Sequence, residues 1–175
     1  MKPLILPLLL LLAACQGVPD DGRPPVEAVP RVDLQRYAGV WHEIARLPMP
    51  FQKQCVGDTT AEYRLRDDGA VAVLNRCRTA SGFDQAEGKA TVVEGSQNAR
   101  LKVSFFWPFR ADYWIIGLDA DYRWAVVGDP SRKYLWVLAR SPQLPPEQLE
   151  AALTIARAQG YDLSPLIHSQ PRPGN

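Results

Sequence analysis

The sequence predicts an all-β fold: an eight-stranded antiparallel up-and-down barrel with one C-terminal α-helix packed outside. Three observations lead there. Between Val32 and Arg140, short apolar and aromatic runs alternate with turn signals at fairly regular spacing, the pattern of a sandwich or barrel. No run alternates with a helical pattern, which excludes parallel βαβ units. A single amphipathic helical stretch follows the last run.

The elements fall in this order. Trp41 to Leu47 is the first strand, and Thr59 to Arg66 the second. Asp67-Asp68-Gly69 then links it to Ala70 to Arg78, and an Asp-Gly between alternating runs is a hairpin signal. Lys89 to Glu94 and Arg100 to Phe106 flank the polar turn Gly95-Ser96-Gln97-Asn98. Tyr113 to Leu118, Trp124 to Val127 and Tyr134 to Ala139 complete eight strands. Pro145-Pro146 opens the helix, where proline is tolerated, and Glu147 and Glu150 favour its N-terminal dipole. Leu149, Ala152, Leu153 and Ala156 form an apolar stripe at i, i+3, i+4, i+7, and Gly160 is placed to end the helix. Eight strands closed on themselves remove the sheet edges and leave room for one small ligand.

The N-terminus reads as an address. Met1-Lys2 is followed by the apolar run Pro3 to Leu12 and then Leu12-Ala13-Ala14-Cys15. Ten apolar residues are too few to span a bilayer as a helix, which takes about 20, and fit a secretory h-region. Small residues directly before a cysteine resemble the bacterial lipobox. Residues 1–14 are therefore expected to be a lipoprotein signal peptide, cut before Cys15. Diacylglycerol on that sulfur, with a further acyl chain, gives durable anchoring at about 0.8 kcal/mol per buried methylene. Gln16, rather than Asp, after the cysteine resembles outer-membrane sorting. Residues 15–31, rich in Pro, Gly and charge, read as a lipidated flexible tether. Residues 32–168 read as barrel plus helix, and 169–175 as a disordered tail.

Composition narrows the function. The chain carries 20 Lys+Arg against 19 Asp+Glu, without the basic excess of a nucleic-acid binder. Three cysteines and two histidines are too few for most zinc frameworks, so neither metal nor cofactor is expected. His42 and His168 sit in no recognisable triad.

The motifs resemble those of one family. Gly39-Val40-Trp41 at the entry to the first strand resembles the lipocalin Gly-x-Trp signature, and Asp33 to Tyr37 resembles the short helix that plugs the closed end. Leu118-Asp119-Ala120-Asp121-Tyr122 resembles the second lipocalin motif, with Asp119 and Tyr122, and Arg140 the arginine of the third. The runs Trp41 to Arg46, Lys102 to Phe106 and Tyr134 to Leu138 resemble bacterial outer-membrane lipocalins most, and the likeness extends over about Val32 to His168. It implies that Trp41 fills the barrel floor under the guanidinium of Arg140, a cation–π contact contributing roughly 0.5–2 kcal/mol. These residues are structural, not ligand contacts.

Alternation then reads the cavity, because residues two apart in a strand share a face. With Trp41 inward, Glu43 and Ala45 follow. Ala61, Tyr63 and Leu65 face in against the charged row Glu62, Arg64 and Arg66. Hairpin parity gives Val71, Val73 and Asn75, and the fifth strand gives Leu101, Val103 and Phe105. Resemblance favours Tyr113 and Ile115, and the parity of Arg140 places Trp136 and Leu138 inside. The expected ligand row is Ala61, Tyr63, Val71, Val73, Leu101, Val103, Phe105, Tyr113, Ile115 and Trp136. A mostly apolar cavity suits an acyl chain, and the bacterial branch of the family implies fatty acids or lysophospholipids. Glu43 is costly there unless paired; a bond near the floor is favoured over a role at a polar head.

Cys55 and Cys77 enter an oxidising compartment, where two thiols tend to pair. A plain ladder around Asp67-Asp68-Gly69 sets Cys77 nearer Thr59, so a Cys55–Cys77 disulfide needs a bulge or a curled loop. The leading function is a lipid-binding lipocalin anchored in the outer membrane of a bacterial cell, storing or moving lipid for envelope maintenance, and not an enzyme. The alternatives are a thiol-dependent isomerase or other small enzyme, with Cys77 inside the barrel, and a solid-core scaffold. Phe105-Phe106-Trp107-Pro108-Phe109, beside Arg110, is expected to form a loop at the open end. That loop folds over the mouth, makes a homodimer contact or dips into a membrane interface.

Overall fold

The computed structural model describes residues 22–169. Nine strands form one antiparallel sheet: β1 (Gly39–Arg46), β2 (Gly57–Leu65), β3 (Val71–Thr79), β4 (Gly82–Val92), β5 (Arg100–Ser104), β6 (Ala111–Leu118), β7 (Trp124–Gly128), β8 (Leu135–Ala139) and the short β9 (Ile167–His168). Strands β1 to β8 pair in sequence order, and β1 closes the barrel by pairing with both β2 and β8. The helices are α1 (Leu34–Tyr37) and α2 (Pro146–Ala158). The eight-stranded expectation holds, with β9 an addition that two residues could not announce. It pairs with the upper part of β1, Ala45 opposite His168 and Arg46 opposite Ile167.

Strand boundaries fall within two residues of the sequence reading except at the start of the fourth strand. The fourth strand begins at Gly82 rather than Lys89, and its first half pairs along the whole of β3 from Thr79 opposite Gly82. The side chains of Gly82 to Glu87 are exposed on both faces, so no alternation marks them. The fifth strand stops at Ser104, before the aromatic run.

Two apolar clusters share the sheet. The inner one fills the lower barrel and includes Trp41, Tyr63, Val71, Val73, Leu101 and Ile115. The outer one packs α2, through Ala152, Leu153 and Ala156, against Ile116, Val126 and Val137. The stripe read from the helix is thus the buried face. Ala45 belongs to the outer cluster, contrary to alternation. The ladder between β1 and β8 shifts between Glu43 and Ala45, and one extra residue reverses every side chain beyond it. Ala45 therefore turns out, opposite Val137, and Arg46 turns in, opposite Trp136.

The segment before residue 32 is not all tether. Val26 is buried in the outer cluster, Glu27 N–H donates to Gln159 Oε1 at 2.7 Å, and Val29 N–H donates to the Ile115 carbonyl at 2.8 Å. Composition averaged over the stretch hides one apolar residue seated against a wall. Likewise Ser169, assigned to the tail, donates its N–H to the Ile44 carbonyl at 2.9 Å. Cys15, the signal segment and residues 170–175 lie outside the described residues.

The closed end is a stack. Asp33 caps α1 by accepting from Gln35 N–H and Arg36 N–H. Trp41 is 0% exposed and donates Nε1–H to the Tyr37 carbonyl at 2.8 Å. The Arg140 guanidinium lies 3.8 Å from the Trp41 ring centroid and donates to the Val40 carbonyl at 3.0 Å and the Arg36 carbonyl at 2.6 Å. Asp119 accepts Nε–H and Nη2–H of Arg123, both at 2.8 Å. Tyr122 Oη accepts from Asp33 N–H at 2.9 Å, which ties the β6–β7 turn to the plug. Arg140→Ala removes the stack and leaves two carbonyls short of donors. We expect it to cost about 2–3 kcal/mol, read as a lower urea midpoint with the slope unchanged.

Candidate ligand-binding site

Strand direction defines the two ends. β1 rises from Trp41 at the floor to Arg46, so the loops 47–56, 80–81, 105–110 and 129–134 surround the open mouth. Ladder pairing places the expected ligand row inside. Ala61 lies opposite Asn75, Tyr63 opposite Val73, Val103 opposite Ala90 and Leu101 opposite Tyr113. Ile115 and Trp136 both lie opposite Val127, on its two sides. All ten side chains of that row belong to or pack against the inner cluster.

They do not form one pocket. Tyr63, Val71, Leu101, Val103 and Tyr113 close around a lower cavity with Leu34, Tyr37 and Ala90. Its volume is about 10 Å³, measured as space open to the centre of a water molecule, enough for about one water. Three hydroxyls meet here: Tyr37 Oη lies 2.8 Å from Tyr113 Oη, which donates to Tyr63 Oη at 2.8 Å. Burial pushes the Tyr63 phenol up to about 12, against a smaller opposing effect of the Tyr113 hydrogen bond. Burial, then the neighbouring tyrosines, raise Tyr113 well above the ordinary range. Burial likewise raises Tyr37.

Above this floor the interior reaches solvent, since Ala86 faces inward and is nonetheless exposed. Ala86 and Gly88 of β4 face inward opposite Asn75 and Val73, and with Ala61 they make a wall of small residues. Phe105 lies against that wall because position 88 has no side chain; a Cβ there would meet its ring at 2.9 Å. Asn75 Oδ1 is buried and has no hydrogen-bond partner among the described residues. An acceptor in an apolar wall is a point for a ligand donor.

The opposite side of the upper barrel is polar and tightly bonded. Glu43 and Arg46 are both buried, with Arg46 Nε 3.4 Å from Glu43 Oε1. Gln52 donates Nε2–H to Glu43 Oε2 at 2.9 Å and accepts Trp136 Nε1–H at 3.0 Å. Ser169 Oγ also donates to Glu43. Glu43 is therefore paired, as expected, but from the mouth side rather than the floor. Its partners Arg46, Gln52 and Ser169 escaped the sequence reading. The bulge that turns Arg46 inward has no marker in the residues, and Gln52 reaches in from a loop.

Cys55 and Cys77 form a disulfide, with Cα atoms 5.5 Å apart. The required irregularity is present: the β2–β3 ladder shifts between Gly57 and Thr60, and a 3-10 turn at Pro50–Gln52 curls the loop. Among the described residues no group of three His, Cys, Asp or Glu side chains could hold a metal ion.

The tyrosines predict an alkaline limit. Below pH 10 they are protonated in the folded and unfolded chain alike. Between about 10 and about 12 the unfolded chain releases the Tyr63 proton while the fold retains it, so stability falls as pH rises. The Tyr63 share is about 1.4 kcal/mol by pH 11. Urea midpoints at pH 8.5 and 11 should show a shallower decline in Tyr63→Phe.

Comparison with known proteins agrees with this architecture. A lipocalin-like domain profile matches residues 32–171. The outer membrane lipoprotein Blc of Vibrio cholerae is 38% identical over 92% of this chain and 93% of its own. Blc of Escherichia coli is 39% identical over 95% of this chain and 92% of its own. Temperature-induced lipocalin-1 of Arabidopsis thaliana is 37% identical, over 84% and 83%. Insecticyanin from the tobacco hornworm Manduca sexta superimposes with a TM-score of 0.71 at 22% identity, covering 86% of this chain and 87% of its own, a likeness of fold. With a matched profile, close relatives over nearly its whole length, and a barrel closed by Trp41 and Arg140, this chain belongs to the lipocalin family.

Proposed function

We propose that this chain is a membrane-anchored lipocalin that holds a fatty acid or lysophospholipid in the upper barrel, for lipid storage or transport in envelope maintenance. The observation that carries this reading is the division of the barrel interior. A floor filled by side chains lies beneath a wall of Ala61, Ala86 and Gly88 that is open at the mouth. An acyl chain gains about 0.8 kcal/mol for each methylene it buries, and the small residues leave it room. Asn75 Oδ1 offers that wall one unmet acceptor, which suits a ligand bearing a hydroxyl donor, such as the glycerol of a lysophospholipid. The thiol-dependent isomerase alternative needs a free Cys77 thiol, and that sulfur is bonded to Cys55.

Anchoring is supported by Leu12-Ala13-Ala14-Cys15 and by relatives named as outer membrane lipoproteins. The outer membrane is thus the proposed location.

Two experiments test these readings. Ala86→Trp places a large ring in the upper barrel from an exposed position, where overpacking is small. We expect at least tenfold weaker fatty-acid affinity, by displacement of a fluorescent analogue, with an unchanged melting temperature. Unchanged affinity would place the ligand elsewhere. For the anchor, Cys15→Ser should move the exported protein from the membrane fraction to the soluble one; retention in the outer membrane at high salt would contradict lipidation.

A further inference from the structure

The N-terminal segment leaves the barrel at the mouth. Arg23 Nη1–H donates to the Gly160 carbonyl at 2.9 Å, and Arg132 of the β7–β8 loop donates to the Pro24 carbonyl. From there the chain descends the outer wall, past Ile115, to Val32, whose N–H donates to Gln97 at 3.0 Å in a closed-end turn. Gly22 lies seven residue steps beyond Cys15, a reach of at most about 25 Å. The eight residues of β1 span roughly 26 Å. A lipid on Cys15 therefore holds the mouth near the bilayer, and the closed end could approach it only with the link stretched along the whole wall.

The mouth is also where the large apolar side chains are exposed. Phe106 is 78%, Trp107 84% and Phe109 77% exposed, all in the β5–β6 loop. Phe51 of the β1–β2 loop, elsewhere in the same ring of loops, is 56% exposed. Folding over the mouth would have buried these rings against the barrel.

Charge divides in the same direction. The four mouth loops hold the bases Lys53, Arg110, Arg132 and Lys133 and one acid, Asp129. Asp129 is buried and turned inward to Ser131 and the Tyr134 N–H. The three closed-end turns between strands hold five acids and two bases. Aromatic rings with adjacent cations suit the headgroup region, and each basic residue near an anionic surface adds about 1 kcal/mol of attraction.

We propose that the mouth loops are a membrane-docking rim, with Phe106, Trp107 and Phe109 inserted in the headgroup region of an anionic bilayer and the barrel opening facing the lipid. The inference rests on the Cys15 anchor. Lipid then passes between bilayer and barrel without crossing water.

The test uses the full lipidated protein in vesicles of phosphatidylethanolamine and phosphatidylglycerol containing brominated acyl chains. Trp107→Phe keeps a ring at the position and isolates the Trp107 emission by difference. Docking predicts at least twofold quenching of that emission by the brominated lipid and little by aqueous iodide. Vesicle flotation is scored in parallel. Protein that floats while Trp107 is quenched only by iodide keeps its anchor and overturns the rim. Protein that floats with Trp107 shielded from both quenchers has the loop against another protein copy, which also overturns it. Protein that does not float overturns anchor and rim together.

Discussion

The contact on which the rest depends is the Arg140 guanidinium laid over the Trp41 indole. It closes the barrel at one end, and only there. Trp41 alone would fill space; with Arg140 bonded to the carbonyls of Arg36 and Val40, the start of β1, the end of β8 and the plug helix are held as one unit. Gly39 makes the approach feasible. Its φ is +98°, and a side chain there would meet Arg140 Nη1 at 3.3 Å. The guanidinium of Arg36, 4.1 Å from the Tyr122 ring centroid, brings the β6–β7 turn into the same block. A rigid floor frees the other end from carrying the closure, so the mouth loops can differ in polarity and exposure without opening the barrel.

That end-to-end asymmetry explains which parts were legible in the sequence. Alternation identified the inner faces of β2 and β5, where a polar row opposes the apolar one, and hairpin parity carried the reading to β3. β6 and β8 are buried on their outer faces too, under α2, so they had to be assigned from resemblance and from the parity of Arg140. The floor was legible through its motif, since Gly39, Trp41 and Arg140 have few alternatives for a tight entry beneath a stacked cation. The first half of β4 was not legible. Where the barrel is open, both faces meet water, and the periodic signal that separates them vanishes. Val26 was lost for a different reason: one apolar residue among prolines and charges gives no period at all, although it finds a place against the outer wall.

The upper part of β1 shows a sharper limit. His42-Glu43-Ile44-Ala45-Arg46 carries no polar–apolar alternation of its own, and counting in twos from Trp41 places Ala45 inside. A single bulge reverses that. Arg46 turned inward meets Glu43 within the strand, Gln52 folds in from the loop, and Ser169 arrives from beyond α2. The last two partners lie outside the strand, where its own pattern cannot announce them. The cysteines mark the opposite case. The mismatch between a plain hairpin register and a Cys55–Cys77 bond could be read from spacing and required a bulge or a curled loop; the structure has the ladder shift between Gly57 and Thr60.

The buried polar cluster beneath the mouth has its own logic. Removing an ion pair from water costs more than its attraction returns unless further hydrogen bonds satisfy both groups, and apolar replacements of similar volume are often as stable. Glu43 and Arg46 are thus poor evidence of stabilisation. What they do provide is position. Gln52 bonds both Glu43 and the Trp136 indole, so the β1–β2 loop is fixed against one wall of the upper barrel instead of falling across it. The same loop carries Phe51, whose ring centroid lies 5.6 Å from that of Tyr134 in the β7–β8 loop. An apolar cluster would let the loop slide to bury more surface, and the nearest surface to bury is the open interior itself. Directional bonds on one wall therefore hold that loop away from the small residues Ala61, Ala86 and Gly88 on the other, the wall on which the proposed acyl-chain reading rests.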